Sequence, residues 1–220
     1  MFEAFIVSLK LAFLTTFILM LFSLIISPLI SFKNFKGKGL LIALFTLPLV
    51  LPPTVLGFYL ILILSPESFI GEFVQKVIGK SLLFTFEGIL IASLIYSFPL
   101  AILPVINVME KVKKEYIETA YIFGYSPIET YIRVILPLSL EGIITAGILV
   151  FVHTLGEFGV ILMVGGNIPG ETQTLSIYVY DSVQSLDYKS AHTASLILLS
   201  VALISTILVY LFGKRKGLKY

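Results

Sequence analysis

The chain has 220 residues, of which 58% are hydrophobic and 13% charged, and its mean hydropathy is +1.04. This apolar content exceeds what one soluble core of this size requires and indicates an integral membrane protein. The net charge of +2 is too small to indicate nucleic-acid binding, and the lack of cysteine excludes disulfides, thiolate metal sites and cysteine nucleophiles.

Five stretches are long and apolar enough to cross a membrane as helices. About 20 residues are needed, because the hydrocarbon layer is about 30 Å thick and a helix rises 1.5 Å per residue. The predicted spans are residues 11–30, 40–64, 82–108, 138–164 and 191–212. The first is read as a span and not as a signal peptide, because Lys10 follows the first apolar residues and the run is too long. We therefore predict one all-α domain over residues 1–220.

Basic residues indicate how the spans are oriented. Only Lys10, Lys76, Lys80 and Lys189 lie on one side. The other eleven follow spans one, three and five: Lys33, Lys36, Lys38, Lys111, Lys113, Lys114, Arg133, Lys214, Arg215, Lys216 and Lys219. Because cytoplasmic segments are rich in Lys and Arg, the N-terminus is predicted outside and the C-terminus inside. The outer loop at residues 165–190 is too polar to span, and we predict a re-entrant or surface helix there.

The predicted cytoplasmic loop at residues 109–137 has the pattern of two short helices that meet at a glycine. Gly124 stands where a left-handed residue would end the first helix. Ser126, Pro127 and Glu129 match a capping box with proline at the first helical position, so a second helix is expected from there to Pro137.

One face of the first helix is predicted to contact something outside the bundle. Small and apolar residues recur at helical spacing, at Ile117, Ala120, Tyr121 and Gly124. From the periodicity alone, this face fits a groove on a partner protein and the lipid headgroups equally well.

The same loop resembles the signature of bacterial ABC-importer permeases, which reads Glu-Ala-Ala, three residues, Gly, nine residues, then Ile-x-Leu-Pro. Here Thr119 stands in place of Ala, and Val134 in place of Ile. In that family the loop forms the coupling helix, which docks on an ATPase subunit that uses ATP and Mg. The resemblance implies the same role for Glu118, Thr119, Ala120, Gly124, Ser126, Pro127, Leu136 and Pro137.

Three further segments are similar to the molybdate-importer permeases. They are Leu-Pro-Leu-Val-Leu-Pro-Pro-Thr-Val-Leu-Gly at 47–57, Leu-Gly-Glu-Phe-Gly at 155–159 and Gly-Asn-Ile-Pro-Gly-Glu-Thr-Gln-Thr at 166–174. The resemblance implies a type I ABC importer permease fold, a homodimer in the lipid of the cytoplasmic (inner) membrane, and a soluble extracytoplasmic oxyanion-binding protein. Molybdate is the expected cargo, and tungstate or sulfate/thiosulfate is the alternative.

Prolines inside the spans suggest where a path for the cargo would run. They remove backbone donors and kink helices, and broken helices tend to line a path, although a single proline is more often a packing feature. The predicted path residues are Pro48, Pro52, Pro53, Thr54, Gly57, Gly156, Glu157 and Gly159. Candidates in the outer loop are Asn167, Pro169, Gly170, Glu171 and Thr172.

Glu157 is predicted to lie on the same helical face as His153. A carboxylate about 5 Å from a dianion would repel it by roughly 6 kcal/mol at a dielectric constant near 20, so we do not expect ionised Glu157 to touch the anion. It is expected to pair with His153, a Ser or Thr hydroxyl, or the second subunit. Glu87 and Glu141 are expected at the membrane interface. No Lys or Arg lies in the middle of a span, so backbone N–H groups, hydroxyls or the binding protein must recognise the anion.

Other functional classes fit the sequence less well. Gly79-Lys80-Ser81 imitates a phosphate-binding loop, but Val74 stands where that motif needs glycine. An intramembrane metal-dependent enzyme could use His153 and His192, yet the His-Glu-x-x-His and Gly-x-Ser-x-Gly patterns are missing. We therefore predict no catalytic residue, metal or cofactor in this chain. A passive channel is a further alternative and would conduct without an ATPase.

Overall fold

The computed structural model describes residues 1–214, which are helical and contain no β-strand. In chain order the helices are α1 (Phe2–Ser31), α2 (Lys38–Val50), α3 (Pro53–Leu64), α4 (Phe69–Ile78), α5 (Phe86–Glu110), α6 (Lys114–Ile122), α7 (Pro127–Thr130), α8 (Leu136–Gly156), α9 (Gly159–Gly165), α10 (Leu175–Gln184) and α11 (Tyr188–Lys214). Arg215, Lys216 and Lys219, used to predict the orientation, lie outside the described residues.

Four helical segments within residues 1–214 are long and apolar enough to span a membrane: α1, α5, the continuous segment Pro127–Gly156 and Tyr188–Leu211 of α11. The bent pair of α2 and α3 is a fifth candidate, if the two helices together count as one broken span. The predicted all-helical membrane fold is confirmed. Its first span begins earlier than predicted, at Phe2, so Lys10 lies inside α1, where its Nζ is 4.1 Å from the centre of the Phe86 ring.

Helices α1, α5 and α8 pack together at the centre of the bundle. The buried face of α1 carries a small or hydroxyl side chain at nearly every fourth position: Ala4, Ser8, Ala12, Thr15, Ser23 and Ser27. Gly142 of α8 lies so close to α5 that an added Cβ would be 2.7 Å from Val108 Cβ. In a membrane the hydrophobic effect does not drive helices together, so they associate through close packing. Small residues allow this close approach.

The predicted second span at residues 40–64 is not one continuous helix. Helix α2 ends at Val50, Leu51 and Pro52 are extended, and α3 leaves at 103° to α2. Neither Pro52 nor Pro53 has an N–H, and a residue before proline avoids the helical conformation, so the chain cannot continue the helix here. Pro48 is accommodated inside α2.

The predicted fourth span at residues 138–164 is wrong at both ends. Its helix begins at Pro127, so the second cytoplasmic helix does not stop at Pro137 but continues into the span. A π-helical turn at Tyr131–Ile135 directly precedes Pro137, and this wider turn tolerates a residue without an N–H. At the other end α8 stops at Gly156 and Glu157 is extended, so α9 is a separate short helix that packs against α3.

The loop at residues 165–190 contains the predicted extra helix, α10, which is too short to span the membrane. Its Leu175 and Ile177 are buried, and it packs against α1 and α11. The Leu175 N–H donates a 2.7 Å hydrogen bond to Ser8 Oγ, which fixes the start of α10 to the N-terminal part of α1.

Candidate functional site

The turn between α6 and α7 is rigidly built, as its sequence predicted. Gly124 has φ +81°, and its N–H donates to the Tyr121 carbonyl at 2.9 Å. The Tyr125 N–H donates to the Ala120 carbonyl at 3.0 Å. These two bonds form a Schellman motif that ends α6.

The start of α7 is fixed by the predicted capping box. Ser126 Oγ accepts the Glu129 N–H at 3.3 Å, and Glu129 Oε2 accepts the Ser126 N–H at 2.9 Å. Two of the orphan N–H groups at this helix start, those of Ser126 and Glu129, are therefore satisfied by side chains. The caps hold the two short helices in one arrangement.

The face predicted to contact a partner is only partly available. Ala120 is 4% exposed, and Ile117 packs on the cluster of Val105, Met109 and Ile135 from α5 and the helix after α7. Half of the predicted docking face therefore holds α6 against its own bundle. Tyr121 and Gly124, the other two residues of that face, are exposed.

Three large apolar side chains project from the turn instead. Ile122, Phe123 and Ile128 are 84%, 76% and 71% exposed, and we call them the apolar tip. Burying such side chains is worth about 1.5–3 kcal/mol each, so the tip is suited to docking on another protein. Periodicity alone did not single out Phe123, because it is the cap residue after α6.

Three of the remaining predicted loop residues line a cavity of about 690 Å³ between the turn and the end of α1. They are Glu118, Pro127 and Leu136. The Thr119 hydroxyl donates to the Glu115 carbonyl within α6 at 2.7 Å, and Pro137 is exposed. Tyr131 closes one wall by donating to the Leu24 carbonyl at 2.6 Å.

Two of the predicted path glycines are packing residues. A Cβ added to Gly57 of α3 would be 2.6 Å from Met163 Cβ of α9, and one added to Gly159 would be 2.9 Å from Pro53 Cβ. These glycines allow α3 and α9 to touch, and neither helix could keep its place with a larger side chain there.

The other predicted path residues lie in separate places. Pro52 and Thr54 are exposed at the bend between α2 and α3. Gly156 lines a groove of about 560 Å³ between α8 and α11, together with His192. Pro48 lines another groove of about 600 Å³ between α1, α2 and α5. The single chain does not bring these residues together into one site.

Glu157 is buried, with 4% of its surface exposed. Of its three predicted partners, which were His153, a Ser or Thr hydroxyl and the second subunit, the structure shows the hydroxyl. Ser93 Oγ of α5 donates to Glu157 Oε2 at 2.5 Å, while Oε1 has no hydrogen-bonding partner among the described residues. His153 does not pair with it. Because α8 ends at Gly156, the predicted shared helical face does not exist, and His153 Nδ1 lies 3.0 Å from Ser97 Oγ.

Ser93 and Ser97 were not predicted as site residues. They are fully buried on α5, four residues apart, and Ser97 Oγ also lies 3.2 Å from Thr154 Oγ1. Two hydroxyls at that spacing share one side of the helix, and polar side chains in membrane helices usually face other helices. The sequence could therefore have predicted that Ser93 and Ser97 lie at a helix contact.

Of the two acids predicted at the membrane interface, only Glu87 lies near a helix end, because Glu141 is in the middle of the continuous segment Pro127–Gly156. Glu87 is exposed in the first turn of α5 and its Oε1 is 2.8 Å from Lys80 Nζ. Glu141 is half-buried in the second turn of α8, and its Oε1 is buried without a partner among the described residues. No group of three or more His, Asp and Glu side chains within the described part of the chain is close enough to hold a metal ion.

The outer-loop candidates form a compact turn at Gly170, which has φ +77°. Thr172 is buried, and its hydroxyl donates to the Gly165 carbonyl at 2.7 Å and accepts the Ile168 N–H at 3.1 Å. Gln173 Nε2 donates to Asn167 Oδ1 at 2.7 Å. Asn167, Pro169, Gly170 and Glu171 are exposed, so Thr172 holds the turn while the other four present its surface.

Comparisons with known proteins agree with this architecture. The chain is 42% identical to the molybdenum transport system permease protein ModB of Azotobacter vinelandii over 185 residues, 84% of this chain and 82% of that protein. It is 32% identical to the probable sulfate transport system permease protein cysT of Helicosporidium sp. subsp. Simulium jonesii over 199 residues, 90% of this chain and 73% of that protein.

A solved structure has the same fold. The crystal structure of a bacterial alginate ABC transporter, in complex with an alginate pentasaccharide-bound periplasmic protein, superposes with a TM-score of 0.78 over 97% of this chain and 78% of that chain, at 15% identity. The model of one sequence family matches residues 11–217. The chain therefore belongs to the family described as the inner membrane component of binding-protein-dependent transport systems.

Proposed function

We propose that this chain is the permease subunit of an ABC importer that carries molybdate across the cytoplasmic membrane. The observation that carries the proposal is the 42% identity to a molybdenum transport permease over 84% of the chain. The likeness to a sulfate permease is weaker, at 32% identity, so sulfate is the second candidate. Both anions are tetrahedral dianions, so charge alone does not tell them apart.

In this proposal two copies of the chain enclose the path, and the anion is selected by a soluble extracytoplasmic binding protein. Of the predicted path residues, Pro52, Thr54 and Gly156 are exposed on the single chain and can line a path between two copies. The Glu157 carboxyl is withdrawn from such a path by its burial and its bond to Ser93, which limits repulsion of a passing dianion.

The apolar tip is proposed to dock on an ATPase subunit. Its position on a rigid turn, between α6 and a helix that continues into the fourth span, supports this role, because a push on the tip moves α8 as well. Approach of two ATPases on binding ATP would rock the two bundles to face outward, and hydrolysis would return them inward. The chain itself contributes no catalytic group in this scheme.

The cargo is tested by transport in vesicles that contain the chain, its ATPase and its binding protein. We expect labelled molybdate to accumulate only with ATP, and excess unlabelled molybdate to compete far better than sulfate. Better competition by sulfate would instead identify a sulfate permease. Uptake that continues without the ATPase would identify a passive channel.

Docking is tested with a matched pair of substitutions on α6. Phe123→Ser removes part of the apolar tip, whereas Tyr116→Ser removes an aromatic ring that is 51% exposed on the same helix. We expect Phe123→Ser alone to weaken copurification of the ATPase. Equal retention by both variants contradicts the proposed docking surface. Ala120→Asp is unsuitable, because it would bury a charge within the bundle.

A further inference from the structure

Helix α4 has three sides of different chemistry. Gly71 is buried, and Val74 packs against the cluster of Leu64, Leu82 and Ala92, so this side faces the chain. A second side is polar and carries Glu72, Gln75 and Lys76. The third side carries Phe69, Phe73 and Val77, whose spacing of four places them in one stripe. These three side chains are 87%, 63% and 68% exposed.

The stripe is held outward, because the start of α4 is fixed on the end of α3 and Val74 on another side packs on the bundle. Ser68 Oγ accepts the Gly71 N–H at 2.9 Å and donates to the Ile63 carbonyl at the end of α3. A Cβ on Gly71 would come within 1.9 Å of the Ser65 carbonyl oxygen, so the two helices meet without room for rotation. After α4, Lys80 is held by Glu87 of α5.

The contacts of α4 place it beside the start of the third span. Lys80 is paired with Glu87 in the first turn of α5, where that span begins. Val74 packs on the cluster that includes Leu64 at the end of α3 and Leu82 just before α5. An apolar span begins near the boundary between headgroups and acyl chains, and interfacial helices bury their apolar side about 5–10 Å into that boundary.

The charges on α4 are already neutralised. Lys76 Nζ lies 2.5 Å from Glu72 Oε1, and Lys80 is paired as described. The helix therefore offers little net charge to an anionic partner. A soluble protein that approached from the water would meet the polar side. The stripe lies between that side and the side packed on the bundle.

We propose that α4 lies in the membrane interface where α5 begins, with Phe69, Phe73 and Val77 among the acyl chains of the lipid. Burial of these apolar side chains, and not attraction to headgroup charge, holds α4 in this position. In this position α4 anchors the end of α3, the helix that leaves the proline bend at 103° and packs on α9. Without such an anchor, α3 would be held only by its packing on α9 and α5 among the described residues.

The lack of cysteine in the chain allows a direct test by fluorescence quenching. Phe73→Cys and Gln75→Cys would each be labelled with bimane in the full chain, in phosphatidylcholine vesicles. One quencher is a phospholipid brominated on its acyl chain near the headgroup, and the other is iodide in the water. We expect the label at residue 73 to be quenched several-fold more by the brominated lipid than the label at residue 75, and iodide to show the reverse order.

Two results would overturn the proposal. Equal quenching of both labels by iodide would place the stripe in water. Protection of the label at residue 73 from both quenchers would mean that protein covers it, either a second copy of this chain or another subunit. If Phe73→Cys does not assemble, Val77→Cys provides the same measurement one turn further along α4. For the proposal to stand, its label must be quenched more by the brominated lipid, and less by iodide, than the label at residue 75.

Discussion

The 2.5 Å hydrogen bond from Ser93 Oγ to Glu157 Oε2 ties the third span to the point where the fourth span breaks. Glu157 is the first residue after α8, and its extended backbone turns the chain toward α9. The bond is buried, so neither group can exchange its partner for water. It therefore fixes the direction in which α9 leaves α8.

Ser93→Ala is expected to destabilise the fold, because it leaves Glu157 buried without any hydrogen-bonding partner. The cost of such an unsatisfied group is about 1–3 kcal/mol. Thermal unfolding of the purified chain in detergent should show a lower midpoint. Ser200→Ala is the control, since that hydroxyl is exposed and bonds only to the Leu196 carbonyl of its own helix. Equal midpoints for the two variants would show that the bond to Glu157 contributes nothing to stability.

Gly57→Ala is expected to destabilise the contact between α3 and α9. The new Cβ would lie 2.6 Å from Met163 Cβ, and overpacking of this kind costs about 1–3 kcal/mol. Gly147→Ala is the control in another span, where the nearest side-chain atom would be 3.7 Å away, an ordinary contact. Gly147→Ala should be neutral or stabilising. If Gly57→Ala keeps its stability yet abolishes transport, Gly57 belongs to the path and not to the packing.

At Gly124 the backbone conformation, and not space, decides which substitutions are tolerated. Its φ is +81°, but no atom lies within 4 Å of an added Cβ. A left-handed conformation costs an ordinary residue about 1–2 kcal/mol, and asparagine adopts it most readily. Gly124→Val should therefore weaken ATPase copurification more than Gly124→Asn does. The same loss for both variants would mean that the side chain itself blocks docking.

The parts of the structure that the sequence predicted depend on chemistry between near neighbours. The capping box of Ser126 and Glu129 and the left-handed Gly124 each follow from a few adjacent residues. Pro52 and Pro53 predicted a kink in the second span, but not its division into two helices. The membrane spans likewise follow from length and apolar content, since lipid permits few alternatives.

The parts that were missed depend on distant contacts. Nothing near Glu157 forbids a helix as a proline would, and the break there is held by Ser93 from α5 and by packing of α9 on α3. Likewise, the spacing of Ile117 and Ala120 shows that they share a face, but not that the face turns toward Met109 of the same bundle. Periodicity identifies a buried side without identifying what buries it.

The orientation of the chain is predicted from its basic residues and can be tested by chemical labelling. Ile122 of the apolar tip and Glu171 of the outer loop are both exposed, and they lie near opposite ends of α1, since Tyr131 bonds to Leu24 whereas Gly170 lies near Glu3. If the tip is cytoplasmic, Ile122→Cys should resist a membrane-impermeant maleimide in spheroplasts and react in inverted vesicles. Glu171→Cys should show the opposite pattern. Labelling of Ile122→Cys in intact spheroplasts would place the tip outside, where no ATPase could reach it, and the proposed docking would be wrong.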